Sequence, residues 1–344
     1  MTATPKVFIT GASGYIGGDL LYALARAHPD WPITCIVRDE AKGRAITKEF
    51  PNVKIVYGTN SDSDILKDEA KEADIVFHFA NSADDVPAAT AIAEGLKAHT
   101  PEKPGWWIHT SGTGILTYVD VEREIYGELH PKVHDDWDNV RELTHLPDYA
   151  WHRQADKIVL AAGTECADRV KTAVVCPPHI YGWGRGPVNK RSINIYNMAK
   201  MALERKKGFK VASGKNIWHA VHVFDLSDLY VSLAEAAADG GGKATWGEDG
   251  YYLAEQEEFV WGELAEKIAK IAKEKGLLPT AEIDALEVEE VKKDFPLRYR
   301  SWGANSRGKS IRANKLLGWT CKSKGVDDDL PDVVDREAKA LGMI

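Results

Sequence analysis

This sequence predicts an α/β fold built on a doubly wound parallel sheet. Three observations carry that reading. Short apolar runs alternate with helical patterns, a glycine triplet follows the first apolar run, and 344 residues that are 44% hydrophobic can bury a core of that size.

Val7-Phe8-Ile9 reads as the first strand, and Thr10-Gly11-Ala12-Ser13-Gly14-Tyr15-Ile16-Gly17-Gly18 as the turn into a helix. Glycines at 11, 14 and 17 allow a tight turn, a backbone bare enough for a pyrophosphate, and close packing of helix on sheet. The first-turn amides and the helix dipole favour an anion there. Gly11, Ser13, Gly14, Tyr15, Ile16 and Gly17 are therefore candidate cofactor contacts. Ile16, Leu20, Leu21, Leu24 and Ala25 recur at helical spacing, and His28-Pro29-Asp30 stops the helix.

Ile33–Val37 is the second strand, with Arg38 at its tip. In a dinucleotide-binding unit an acidic residue there suits the ribose hydroxyls of NAD, whereas an arginine suits the 2′-phosphate of NADP. The expected cofactor is NADP(H), with Lys42 and Arg44 as further cations. Val53–Tyr57 is the third strand, and Asn60 in the turn after it is a further candidate contact. A short helix through about Lys71 leads to Asp74–Asn81, apolar enough to read as a parallel strand covered on both faces. Its carboxyl end, Phe79, Ala80 and Asn81, should pass the cofactor, because ligands lie outside the carboxyl ends of such strands. His78 within it is expected to be a core histidine.

A helix over Pro87–His99 precedes the fifth strand, Gly105–Thr110, which ends in Ser111-Gly112-Thr113-Gly114. That cluster of hydroxyls and flexible backbone is suited to holding a substrate oxygen. The polar stretch 118–147 is expected at the surface, with His134, Asp135 and Asp136 solvated and no metal-ligand spacing nearby. Helical spacing returns over Tyr149–Ala162, and Lys171–Cys176 is the sixth strand, stopped by Pro177-Pro178. An amphipathic helix with Ile193, Met198 and Met201 is expected to supply core and part of a pocket wall, and Trp183 to touch an apolar substrate. Tyr251–Leu253 reads as a further strand and Trp261–Lys275 as a helix.

A net charge of −8 argues against general nucleic-acid binding. The four cysteines, 35, 166, 176 and 321, lack C-x-x-C spacing and fit buried thiols in a reducing compartment. With no apolar signal core and no membrane-length run, a cytoplasmic protein acting on a small molecule is expected, without metal, membrane or nucleic-acid partner.

Six segments, 10–17, 74–80, 108–113, 177–182, 221–228 and 314–319, together resemble the extended short-chain dehydrogenase/reductase family, also called the NAD-dependent epimerase/dehydratase family. The resemblance implies a Rossmann-type domain, residues 1–182 plus about 211–240, and a substrate-binding domain, about 183–210 plus 241–344. It implies Thr110, Pro177 and Ile180 beside the cofactor, and a homodimer, since members often pair through a helix bundle. It also implies hydride transfer assisted by Ser/Thr, Tyr and Lys. The phenol exchanges a proton with the substrate oxygen, the lysine four residues on lowers its pKa and holds the ribose, and a hydroxyl polarises the carbonyl.

Two departures stand out. Gly112 occupies the usual serine position, leaving Ser111 or Thr113 to supply the hydroxyl. In Tyr149–Lys157 two registers are open. With Tyr149 as the family tyrosine, Arg153 stands at the lysine position; with Lys157 as the family lysine, Arg153 replaces the tyrosine and His152 or the substrate must act. The first is preferred, because Pro147-Asp148-Tyr149 resembles the family's helix entry. The expected activity is NADPH-dependent reduction of a small apolar or aromatic ketone or aldehyde. A nucleotide-sugar epimerase/dehydratase and a non-catalytic NADP(H)-binding regulator are the alternatives.

Overall fold

The computed structural model describes residues 4–296 and 298–344. Seven strands, β1 (Val7–Thr10), β2 (Ile33–Val37), β3 (Lys54–Tyr57), β4 (Ile75–His78), β5 (Gly105–Thr110), β6 (Val170–Cys176) and β7 (Tyr251–Leu253), form its central sheet. All neighbours pair in parallel, in the order β7-β6-β5-β4-β1-β2-β3. Side chains alternate between the two faces, and both faces are covered. Ile9, Cys35, Phe77 and Ile108 enter one buried cluster, while Phe8, Val76 and Trp107 enter the other. That is why the inner strands are largely apolar, whereas the edge strand β3 is exposed at both of its ends. The strand order reverses between β1 and β4, which opens a crevice at the carboxyl edge.

Helix α1 (Tyr15–Ala27) follows β1 on the face it shares with the helix Val223–Ala238. A third core gathers Met198, Met201, Phe209, Trp218, Trp261, Trp302 and Val334 around the helices Asn194–Arg205 and Trp261–Glu274. The two methionines are thus interior packing and not pocket wall. Beside this core, His179–Tyr181 pairs in parallel with Ile217–His222, which pairs antiparallel with Glu257–Val260.

The domain boundaries drawn from the sequence differ from these contacts. Tyr251–Leu253, assigned to the second domain, is the edge strand β7 of the central sheet, and Ala313 and Trp319 pack into the cluster on its α1 face. Val211, Trp218 and Ala220, assigned to the first, belong to the third core. A three-residue strand carries too little pattern to reveal which sheet it joins.

His134 and Asp136 are buried, not solvated, and Asp135 between them is half-buried. His134–Asp135 pairs with Gly308–Lys309, and Asp136 is fully buried, accepting from the amides of Leu253 (3.0 Å), Ile311 (2.8 Å) and Arg312 (2.9 Å). Among the described residues no helix is long and apolar enough to cross a membrane, and no group of three or more His, Cys, Asp or Glu is placed to hold a metal.

Candidate active site

The glycine loop packs where the sequence demands bare backbone. Gly11 has φ +73°, and a Cβ there would stand 2.8 Å from the Ala80 amide nitrogen. At Gly17 a Cβ would stand 2.5 Å from the Gly11 carbonyl oxygen. No side chain caps α1 at Gly14, so its first-turn amides meet no competing acceptor on the side where a pyrophosphate would lie. These residues fit a dinucleotide.

A cleft of about 740 Å³ opens at this edge. Its lining brings together Gly11, Ser13, Gly14, Tyr15, Ile16 and Gly17 with Arg38, Asn60, Phe79, Ala80, Asn81 and Ile180. Asn60 donates to the Ala80 carbonyl and to Asp85 (3.2 Å), joining the turns after β3 and β4. The Tyr15 hydroxyl lies within hydrogen-bonding distance of the carbonyls of Tyr181 (2.9 Å) and Gly182 (2.7 Å), and burial holds its phenol well above the usual pKa. Arg38 is exposed and forms no ion pair among the described residues. Asp39, beside it, accepts from the amides of Ala41 (2.7 Å) and Lys42 (3.2 Å), contacts that lower its carboxyl pKa. Arg44 is paired with Glu40 at 3.1 Å. Thr110 and Pro177 are placed differently. Thr110 is buried with its hydroxyl 2.6 Å from that of Tyr230, and Pro178 takes the lining position while the Pro177 carbonyl accepts from the Thr113 amide. Trp183 is not in the lining and lies under the Arg336 guanidinium at 4.0 Å.

None of the five residues expected to do chemistry lines the cleft. The helix Arg153–Glu165 starts four residues after Tyr149, so Tyr149 and Arg153 share no helical face, and Tyr149 is 58% exposed. Lys157 is paired with Asp148 at 2.8 Å. Ser111 is turned inward, its hydroxyl donating to Asp156 at 3.0 Å. Thr113 is buried, with Oγ1 unpartnered. Arg153 is only 8% exposed, and its Nε and Nη1 meet no acceptor.

Two groups organise this edge: Asp156, which the sequence reading missed, and His152, which it named only as a substitute acid in the second register. Asp156 is fully buried and also takes the Tyr251 hydroxyl (3.2 Å), with His109 Nε2 at 3.5 Å and His78 Nδ1 3.2 Å from His109 Nδ1. Burial, then His109, pushes the His78 imidazole well below its usual pKa, so it stays neutral in the core. His152 has a left-handed backbone, φ +70°, which costs a non-glycine residue about 1–3 kcal/mol. Its Nδ1 is 2.8 Å from Asp84 Oδ1, and its ring stacks on Trp151 at 4.4 Å between centroids.

A sequence model of the NAD dependent epimerase/dehydratase family matches residues 7–246. The chain belongs to this family. Oxidase ucsJ of an Acremonium species is 37% identical to this epimerase/dehydratase family member over 99% of each chain. An uncharacterised protein of Saccharomyces cerevisiae is 30% identical over 71% of this chain and 76% of its own. Among solved structures, dTDP-glucose 4,6-dehydratase of Bacillus anthracis, in complex with NAD, superposes with TM-score 0.67 at 18% identity, covering 98% of this chain and 97% of that one. UDP-glucose 4-epimerase of Thermotoga maritima, with UDP-glucose, gives 0.65 at 13% identity, covering 98% and 99%. At these identities the likeness is one of fold.

A further residue escaped the sequence reading of this epimerase/dehydratase chain. Asp19 is fully buried on α1, 2.6 Å from Arg185 Nη2 and 2.7 Å from the Ser227 hydroxyl. An acid within an apolar helix stripe was the available signal.

Proposed function

We propose that the chain is an NADP(H)-dependent oxidoreductase that reduces the carbonyl of a small apolar or aromatic ketone or aldehyde. Arg38 carries the cofactor assignment. It lines the cleft beyond β2, while the carboxylate next to it, Asp39, is turned onto the amides of the helix it caps. A guanidinium there can fork onto a 2′-phosphate. The first-turn amides of α1 hold the pyrophosphate, and Thr59, Asn60 and Ser61 flank the adenosine end. When bound, the reduced dinucleotide supplies the hydride.

At the opposite end Pro178, Ile180 and Ile193 are apolar, joined by the amides of Asn189 and Asn194. Arg38 is the one Lys or Arg in the described lining. This supports a neutral substrate over a nucleotide sugar, whose diphosphate calls for cations of its own. The 37% identical relative named an oxidase also supports redox chemistry as the net reaction. Calorimetry tests the cofactor. Arg38→Ser should weaken NADPH about thirtyfold, the equivalent of about 2 kcal/mol of charge-assisted hydrogen bonding, and leave NADH unchanged. Equal wild-type affinity for the two cofactors would sink the assignment. NADPH consumption with aryl aldehydes and ketones, benzaldehyde and acetophenone first, tests the reaction.

A further inference from the structure

We infer that His152, oriented by Asp84, is the group that gives the substrate oxygen its proton. The inference rests on the carbonyl-reductase reading above and supplies what that reading lacks, an acid. Tyr149 is 58% exposed at the surface, and the Ser111 hydroxyl is committed to Asp156.

Four observations converge on His152. Asp84 belongs to the turn after β4 whose neighbouring residues Asn81 and Asp85 both line the cleft, and its amide donates to the Asn81 carbonyl at 3.0 Å. Neither His152 nor Asp84 is in the lining itself, and Asp84 ties the imidazole to the turn that bounds the cleft. Second, the ring lies over the end of β5. A Cβ at Gly112 would stand 3.3 Å from Nε2, and one at Gly114 would stand 3.0 Å away. Glycine at 112 leaves room for the imidazole beside the end of β5. Third, Nδ1 is held by Asp84 at 2.8 Å, and Nε2 makes no hydrogen bond within the described protein. A carboxylate on Nδ1 fixes its proton there and leaves Nε2 for exchange. Fourth, the backbone of His152 is left-handed, and such conformations persist where surrounding structure over-determines them, often at reactive sites.

The groups facing the ring are few. Asp84 comes from the turn before the helix Val86–Leu96, Gly112 and Gly114 bring no charge, Trp151 stacks, and Arg153 and Asp156 follow on its own element. In the step, the carbonyl carbon accepts a hydride from the reduced dinucleotide, which is left oxidised. The C=O π pair moves onto oxygen, and that oxygen takes the proton from Nε2 of the imidazolium. Neutral imidazole with Nδ1–H on Asp84 remains, and solvent returns the proton. Asp84 acts through His152 and is a positioning residue.

The test uses full-length wild-type, His152→Asn, His152→Gly and Asp84→Asn proteins with NADPH and the aryl carbonyl that wild type reduces fastest. His152→Asn, whose side chain tolerates the left-handed backbone, should lower kcat about a hundredfold or more while NADPH affinity by calorimetry stays unchanged. In His152→Gly, added free imidazole should restore turnover by filling the space beside Gly112 and Gly114, which a merely structural histidine would not allow. Asp84→Asn should lower kcat and, in ¹⁵N spectra of the histidine rings, move the neutral tautomer off Nδ1–H. Full kcat in His152→Asn, or no imidazole rescue in a folded His152→Gly that binds NADPH, overturns the proposal alone. A wild-type protein that binds NADPH yet reduces no carbonyl overturns the functional reading and this proposal with it.

Discussion

Gly17 shows how tightly one position can be specified. Its missing Cβ lets α1 descend onto the Gly11 carbonyl, and an added methyl would lie 2.5 Å from that oxygen and 2.9 Å from its carbon. Both are backbone atoms, so relief requires moving the loop. Gly17→Ala should cost about 1–3 kcal/mol, as overpacking does, and much of it should appear as weaker dinucleotide binding, about tenfold or more by calorimetry. Undiminished affinity would mean that the loop yields freely. The glycine loop and the place of Arg38 in the cleft lining were legible because both are local: a strand, a turn and the residue at a strand tip. Tyr149 was not, because the left-handed turn at His152 delays the helix to Arg153, and no apolar periodicity announces a turn of that kind.

Helix α1 is held at a depth that its own stripe of Leu20, Leu21 and Leu24 does not determine. Gly18 lies against Gly186, where a Cβ on Gly186 would stand 2.6 Å from the Gly18 carbonyl carbon. One residue on, Asp19 binds the backbone amide of Arg185 (2.7 Å), its guanidinium and the Ser227 hydroxyl. The Arg185 guanidinium also lies over the Phe224 ring at 4.0 Å. One carboxylate thus ties α1, the turn at 183–187 and the helix Val223–Ala238. Asp19→Ala removes a buried partner and leaves Arg185 without its counter-charge. It should lower unfolding stability by about 3 kcal/mol, read as a lower urea midpoint with unchanged slope. A loss under about 0.5 kcal/mol, the size of surface changes, would show the contact to be incidental. The central strands were readable as elements because each is a short apolar run bounded by turns. The ties between elements were not, since Asp19, Arg185 and Ser227 meet across long stretches of chain. Asp156 and the ring of His109 are in the same position, and nothing at the level of spacing connects them.

Across the whole molecule, Asp136 performs another such tie. It receives the amides of Leu253 on β7 and of Ile311 and Arg312 near the C-terminus, while Arg312 Nε donates back to the Asp136 carbonyl at 2.7 Å. Burial pushes its carboxyl up to about 6, against the pull of these three amides and of Arg312. In the unfolded chain the same group titrates near 3.9. Between these two values the folded protein holds the proton more tightly than the unfolded chain does. The contribution of this group to stability is therefore fully present below about pH 4 and is lost as pH rises through about 6. The size is about 3 kcal/mol, from roughly two pKa units at 1.36 kcal/mol each. Other carboxylates titrate over the same range, so the measurement is a difference. Urea unfolding of wild type and Asp136→Asn at several values from about pH 4 to about pH 7 should show wild type losing about 2–3 kcal/mol relative to the variant. The amide does not titrate, and its poorer fit to three N–H donors adds only a constant offset. A difference that stays flat with pH would mean that Asp136 is ionised throughout, with the three amides outweighing its burial.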